Sequence, residues 1–128
     1  MSILVPLSAG ELLDKITILR IKAARIEETS KLANVRHELM LLERIWREAF
    51  GAVALEGEEA ELERVNGALW EIEDRIREHE ARGVFDAAFI ELARAVYLRN
   101  DERAAIKRRI NLKLNSPIVE EKSYRPYR

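Results

Sequence analysis

Apolar residues recur every three or four positions through most of this chain, which is the spacing of a helix with one buried face. The pattern runs over residues 8–50, then 58–82, then 86–114. Residues 1–7 and 115–128 lack it. We therefore predict a single all-α domain: an antiparallel helical bundle of three to four long helices, with an extended N-terminal segment and a C-terminal tail.

The first helical segment has a clear start and an irregular middle. Ser8 and Glu11 have the spacing of a capping box, in which each side chain bonds the other residue's backbone N–H. The apolar positions change step between Ile26 and Val35. This change fits either a stutter within one helix or a break with Ser30 capping a second helix. We favour a kink at this point.

The second and third helical segments carry polar residues on their apolar faces. At 100° per residue, Asn66 and Glu73 fall among the apolar positions of one helix, and Asn100, Arg103 and Lys107 among those of the other. Buried amides need hydrogen-bond partners, and a buried charge needs an opposite charge. We therefore expect Glu73 to pair with Arg103 or Lys107.

Two interpretations of this polar face remain open. In the structural one, the ion pair and the asparagines fix the register of the helices. In the functional one, two cations against one carboxylate leave a surplus positive charge that binds a small anion. Arg103 would then grip a carboxylate or phosphate with two parallel bonds, and Lys107 would act as a point charge. Asn66 and Asn100 would orient the ligand.

Composition and charge narrow the class of protein. The 128 residues include no Cys, which removes disulfides and Cys-ligated metal sites. We read no signal peptide and find no apolar run that approaches the roughly 20 residues needed to span a bilayer, so we expect a cytoplasmic protein without a membrane partner. His37-Glu38 does not extend to an HExxH motif and the glycines are not clustered, so we expect no metal and no cofactor. Residues 51–80 hold ten acids and three bases, whereas residues 94–128 hold ten bases and four acids. These segments are expected to attract each other.

Two further features bear on partners. Six residues between Leu12 and Ile21 are Leu or Ile and point nearly all round the first helix, which predicts a homodimer that buries this helix. Coverage by the terminal segments is the alternative. Arg108 and Arg109 lie off the apolar face, but no aromatic residues interleave with these bases. Nucleic-acid binding is therefore a minor option.

Four blocks of the sequence resemble the signature blocks of an uncharacterised bacterial family of small helical proteins, a domain of unknown function. They are residues 8–19, 69–74, 96–107 and 120–124. The resemblance spans nearly the whole chain and implies no activity. It places six polar residues inside signature blocks: Asp14, Lys15, Asn100, Asp101, Arg103 and Lys107.

The first helix is also similar to that of the all-helical chorismate mutases, around Leu13-Asp14-Lys15-Ile16, with Arg20 and Lys31 eleven residues apart. This resemblance implies an intertwined dimer that binds a dicarboxylate with Arg and Lys side chains. The arginine–glutamate motif of the second helix in that family is missing here, and Glu73 is only a candidate substitute.

A non-catalytic binding or assembly module is the leading interpretation of the whole sequence. The alternative is a small cofactor-free enzyme acting on an anionic metabolite, with Glu73 as acid or base. In that enzyme, three cations would neutralise the charge of the substrate: Arg103, Lys107 and Arg20.

Overall fold

Four helices account for most of the chain in a computed structural model that describes residues 1–53 and 55–127. They are α1 (Ala9–Arg25), α2 (Thr29–Phe50), α3 (Glu58–Arg82) and α4 (Ala87–Lys113). The predicted all-α class is confirmed, and the described residues contain no strand. Ala54 and Arg128, the last residue of the predicted tail, lie outside the described residues.

The first predicted helical segment is two helices. Ile26 has an extended backbone, with φ −75° and ψ 128°, and three residues separate the end of α1 from the start of α2 at Thr29. The break lies where the apolar positions change step, because one straight helix cannot keep both series on the same buried face. Ser30 does not cap α2, since its hydroxyl donates instead to the Glu28 carboxylate at 3.1 Å.

Helix α1 occupies the centre of the bundle. It contacts α2, α3 and α4, whereas α3 and α4 pair along their lengths and the backbone of α2 lies next to that of α1. The apolar core lies between α1, α3 and α4, with Trp46 and Phe50 of α2 packed against it. The apolar circumference of α1 is thus covered by helices of the same chain. This removes the reason for expecting a dimer through α1. The buried core residues are Ala9, Leu13, Leu62, Val65, Ile106 and Ile110.

The oppositely charged segments meet within one chain, as their charges predicted. Arg109 and Lys113 of α4 pair with Glu61 and Glu58 of α3. The Glu58 side chain is only 5% exposed. The hydrogen bond from Lys113 lowers the pKa of Glu58, and this effect outweighs the opposing effect of burial.

Gly10 sets the distance between α1 and α4. Its backbone N–H, in the first turn of α1, donates to Oδ1 of the buried Asn111 at 2.6 Å. A Cβ atom at Gly10 would lie 2.5 Å from the backbone oxygen of Lys107, well inside van der Waals contact. The two helices approach this closely only because residue 10 has no side chain.

We expect Gly10→Ala to lower the free energy of unfolding by about 1–3 kcal/mol, because the added methyl group forces α1 and α4 apart. Gly67→Ala is the matched control, since nothing lies within 4 Å of its Cβ position in the middle of α3. That change should raise stability by about 1 kcal/mol through helix propensity. Urea unfolding of both variants measures the difference, and equal effects would contradict the close approach.

Candidate functional site: a buried ion-pair layer and the adjoining groove

The carboxylate of Asp14 lies at the centre of a polar layer inside the bundle. Its side chain, on α1, is only 1% exposed. Arg103 of α4 donates from Nε to Oδ1 at 2.9 Å and from a terminal guanidinium nitrogen to Oδ2. Asn66 of α3 donates from Nδ2 to the same Oδ1 at 2.9 Å. One carboxylate therefore joins three helices.

Thr17 completes the layer, one turn further along α1. Its hydroxyl donates to the backbone oxygen of Asp14 at 2.8 Å and accepts from Nδ2 of Asn66 at 3.0 Å. Both Asn66 and Thr17 are buried. The amide of Asn66 is held by two acceptors on α1, which fixes the height of α3 relative to α1.

Arg103 stays charged in this setting. The hydrogen bonds to Asp14 raise the pKa of the Arg103 guanidinium, and the nearby carboxylates of Glu11 and Glu120 raise it further, although burial acts in the opposite direction. The pair is therefore an ion pair with two parallel bonds, the geometry that suits a guanidinium and a carboxylate best.

A second set of ion pairs continues the layer towards the start of α1. Nζ of Lys107, whose side chain is 14% exposed, contacts Glu11 at 2.5 Å and Glu120 at 3.6 Å. Ser8 donates to Glu120 at 3.1 Å while its oxygen caps α1 by accepting from the Glu11 N–H. Only the Ser8 half of the predicted capping box forms, because the Glu11 carboxylate pairs with Lys107.

Glu73 does not join this layer, and the expected pairing with Arg103 or Lys107 is wrong. Its carboxylate pairs with Arg77 at 2.5 Å on the surface of α3. The reason is the position of Glu73 along the axis of α3. Asn66 lies opposite Arg103, and Glu73 is seven residues further along α3, about 10 Å towards the far end.

Arg20 also lies elsewhere. It pairs with Glu59 at 3.0 Å and lies near Glu43 and Glu63, at 3.9 and 4.0 Å. Because Asp14 and Glu11 neutralise Arg103 and Lys107, the surplus positive charge expected at those two residues is absent.

A groove of about 880 Å³ opens beside the layer, between α4 and the C-terminal tail. The tail runs back along α4: Glu121 pairs with Arg108 at 2.9 Å, and Lys122 pairs with Asp101 at 2.5 Å. The ring of Tyr127 packs against that of Tyr97, with 5.1 Å between the ring centroids. Of the predicted ligand residues, three line this groove: Asn100, Arg103 and Lys107.

Sequence reasoning missed Asp14, Thr17 and Asn111 as members of these networks. A signal for Asp14 was present, because a charged residue in the middle of a helix that is apolar all round must find a buried partner. Thr17 and Asn111 gave no such signal, since their roles depend on which helices are neighbours.

Comparison with known proteins identifies the family of this all-α bundle but not its function. The chain belongs to a family of unknown function (DUF6165), whose sequence model matches residues 3–127. Searches among curated proteins and solved structures returned no match.

In the described part of the chain, no helix is long and apolar enough to cross a bilayer. No group of three or more His, Asp or Glu residues placed to hold a metal ion occurs among residues 1–53 and 55–127.

We expect Arg103→Met to lower the free energy of unfolding by about 3–5 kcal/mol, because it leaves the buried Asp14 carboxylate without its counter-charge. Asp14→Leu should have a similar cost. The double variant should cost far less than the sum, since neither charge is then left alone. Chemical denaturation of the four proteins gives the coupling energy.

Glu73→Gln is the control for this cycle, because its ion pair with Arg77 is exposed. Its effect should stay within about 0.5 kcal/mol. Additive costs for Asp14 and Arg103, or a large cost at Glu73, would show that the ion-pair layer has been wrongly assigned.

Proposed function

We propose that the protein is a non-catalytic binding module that holds a small anionic ligand in the groove between α4 and the tail. In this proposal the Asp14 layer does not contact the ligand. It keeps the position of α4, the floor of the groove, fixed relative to α1 and α3.

The observation that supports this proposal best is a pair of polar side chains in the groove with their bonding capacity unused. The side-chain amide of Asn100 is half-buried there and has no hydrogen-bond partner among the described residues. Arg125 of the tail lines the same groove and has no ion pair within residues 1–53 and 55–127. An amide and a guanidinium that face a cavity and lack partners are suited to a polar, negatively charged ligand.

The size and lining of the groove agree with this class of ligand. Small-molecule sites commonly have volumes of about 300–1,000 Å³, and this groove falls in that range at about 880 Å³. Arg103 and Lys107 already have carboxylate partners, so the charged group of the ligand is expected at Arg125. Tyr124, which is 81% exposed, places an aromatic ring on the same tail.

The enzyme alternative has less support. It required Glu73 as acid or base and Arg20 as a neutralising cation, and neither residue lines the groove. Nucleic-acid binding has less support as well, because Arg108, Arg109 and Lys113 each pair with a glutamate of the same chain. A phosphate backbone would have to displace these carboxylates.

We expect millimolar phosphate, succinate or citrate to raise the melting temperature, because a ligand that binds only the folded state stabilises it by mass action. Arg125→Gln should abolish the shift produced by the most effective of these anions. Asn100→Ala should reduce it. A thermal-shift titration, with sodium chloride at matched ionic strength as the reference, measures both effects.

Arg77→Gln is the matched control, since Arg77 is an exposed arginine of α3 outside the groove. It should leave the anion response unchanged. The proposal fails if none of the three anions acts beyond the salt reference, or if Arg125→Gln and Arg77→Gln respond alike.

A further inference from the structure

The far half of the α3–α4 pair, which we call the distal hairpin (residues 67–105), has no core of its own. None of these residues is buried. The buried residues of α3 end at Asn66, and those of α4 begin at Ile106. The apolar face of the distal hairpin is only half-buried: Leu69, Ile72, Ile76, Phe89, Leu92 and Val96.

The central helix ends before the distal hairpin does. Arg25, the last residue of α1, pairs with Glu71 and lies over the ring of Trp70 at 5.9 Å. Helix α3 continues to Arg82, about 16 Å beyond Glu71 at 1.5 Å per residue. Two helices alone cover one side of each other's apolar face, so a third layer is needed for a buried core.

The tip of the distal hairpin exposes large apolar side chains. Val84, Phe85 and Ile90 are 41%, 57% and 55% exposed. The Phe85 ring packs edge-on against Phe89, at 5.1 Å between ring centroids. Adjacent apolar side chains left in water favour association.

The total solvent-accessible surface area of the chain also favours association. The chain exposes 9124 Å², whereas a compact monomer of 14.8 kDa would expose about 7,000 Å². The exposed terminal segments contribute to the difference, as do α2 and the distal hairpin, neither of which contains a buried residue. An excess on the order of 2,000 Å² is more than the roughly 800 Å² that each partner buries in a standard interface.

We propose that the distal hairpins of two copies pack against each other around a two-fold axis and form a four-helix bundle. Charge allows a second copy as the occupant, because the part of the distal hairpin beyond the end of α1, residues 74–94, holds five acids and four bases and so carries a net charge of only −1. Two such surfaces repel each other only weakly, and their mixed charges can pair across a two-fold axis. The surface differs from the α1 interface expected from the sequence, and it does not depend on the groove.

Sedimentation equilibrium of the full chain tests the proposal. The wild-type protein is expected to be a dimer at micromolar concentration. Phe85→Ser combined with Ile90→Ser should raise the dissociation constant at least about a hundredfold, since a few large apolar side chains carry most of the binding energy of an interface. Met40→Ser with Ile45→Ser is the matched control, because these residues of α2 are also exposed, at 62% and 41%. It should leave the dimer intact.

A distance measurement covers the case in which the hairpin variant fails to fold. The chain has no Cys, so a spin label on Arg82→Cys reports only the position next to the tip. Pulsed electron–electron double resonance should give a narrow distribution of distances between the labels of the two copies. The label on Lys15→Cys, on the exposed side of α1, should give a longer one.

A wild-type monomer at high micromolar concentration would overturn the proposal. So would loss of the dimer in the Met40 and Ile45 variant alone, or a shorter intermolecular distance from Lys15 than from Arg82.

Discussion

The carboxylate of Asp14 determines how the helices of this protein are arranged. A charge this deeply buried loses its hydration and must be compensated by an opposite charge and by hydrogen bonds. Arg103 supplies the charge from α4, and Asn66 supplies an additional bond from α3. Because the bonds allow little variation in distance, they fix the heights of α3 and α4 relative to α1. The apolar core then forms at this end of the bundle.

The two ends of the molecule differ for this reason. The end that contains Asp14 has the close approach at Gly10 and the ion pairs of Lys107 and Lys113. The distal hairpin has only half-buried apolar residues and an exposed tip. Rigidity at one end suits a groove whose side chains must stay in place. An open apolar face at the other end suits assembly. The two proposed roles use different surfaces and can hold or fail separately.

Sequence patterns predicted the helices well and their neighbours poorly. Periodicity indicates which side of a helix faces inward, and it predicted that Asn66, Arg103 and Lys107 lie on that side. It gives neither the height of one helix against another nor the identity of the neighbouring helices. Glu73 was therefore chosen as the partner of Arg103, although it lies about 10 Å too far along α3. Asp14 lies in a signature block, but the apolar pattern of its helix does not show which residue of α3 or α4 it contacts. The groove depends on where the tail lies, which no periodic pattern encodes.

The most direct test of this account is the exchange of the Arg103 Nε–H proton with water, followed by nuclear magnetic resonance on protein with labelled arginine side chains. A proton held against a buried carboxylate exchanges slowly. The account predicts a slowly exchanging Arg103 Nε–H signal that is lost in Asp14→Asn, while the signal of the exposed Arg77 exchanges rapidly in both proteins. Equally rapid exchange at Arg103 and Arg77 in the wild-type protein would contradict it.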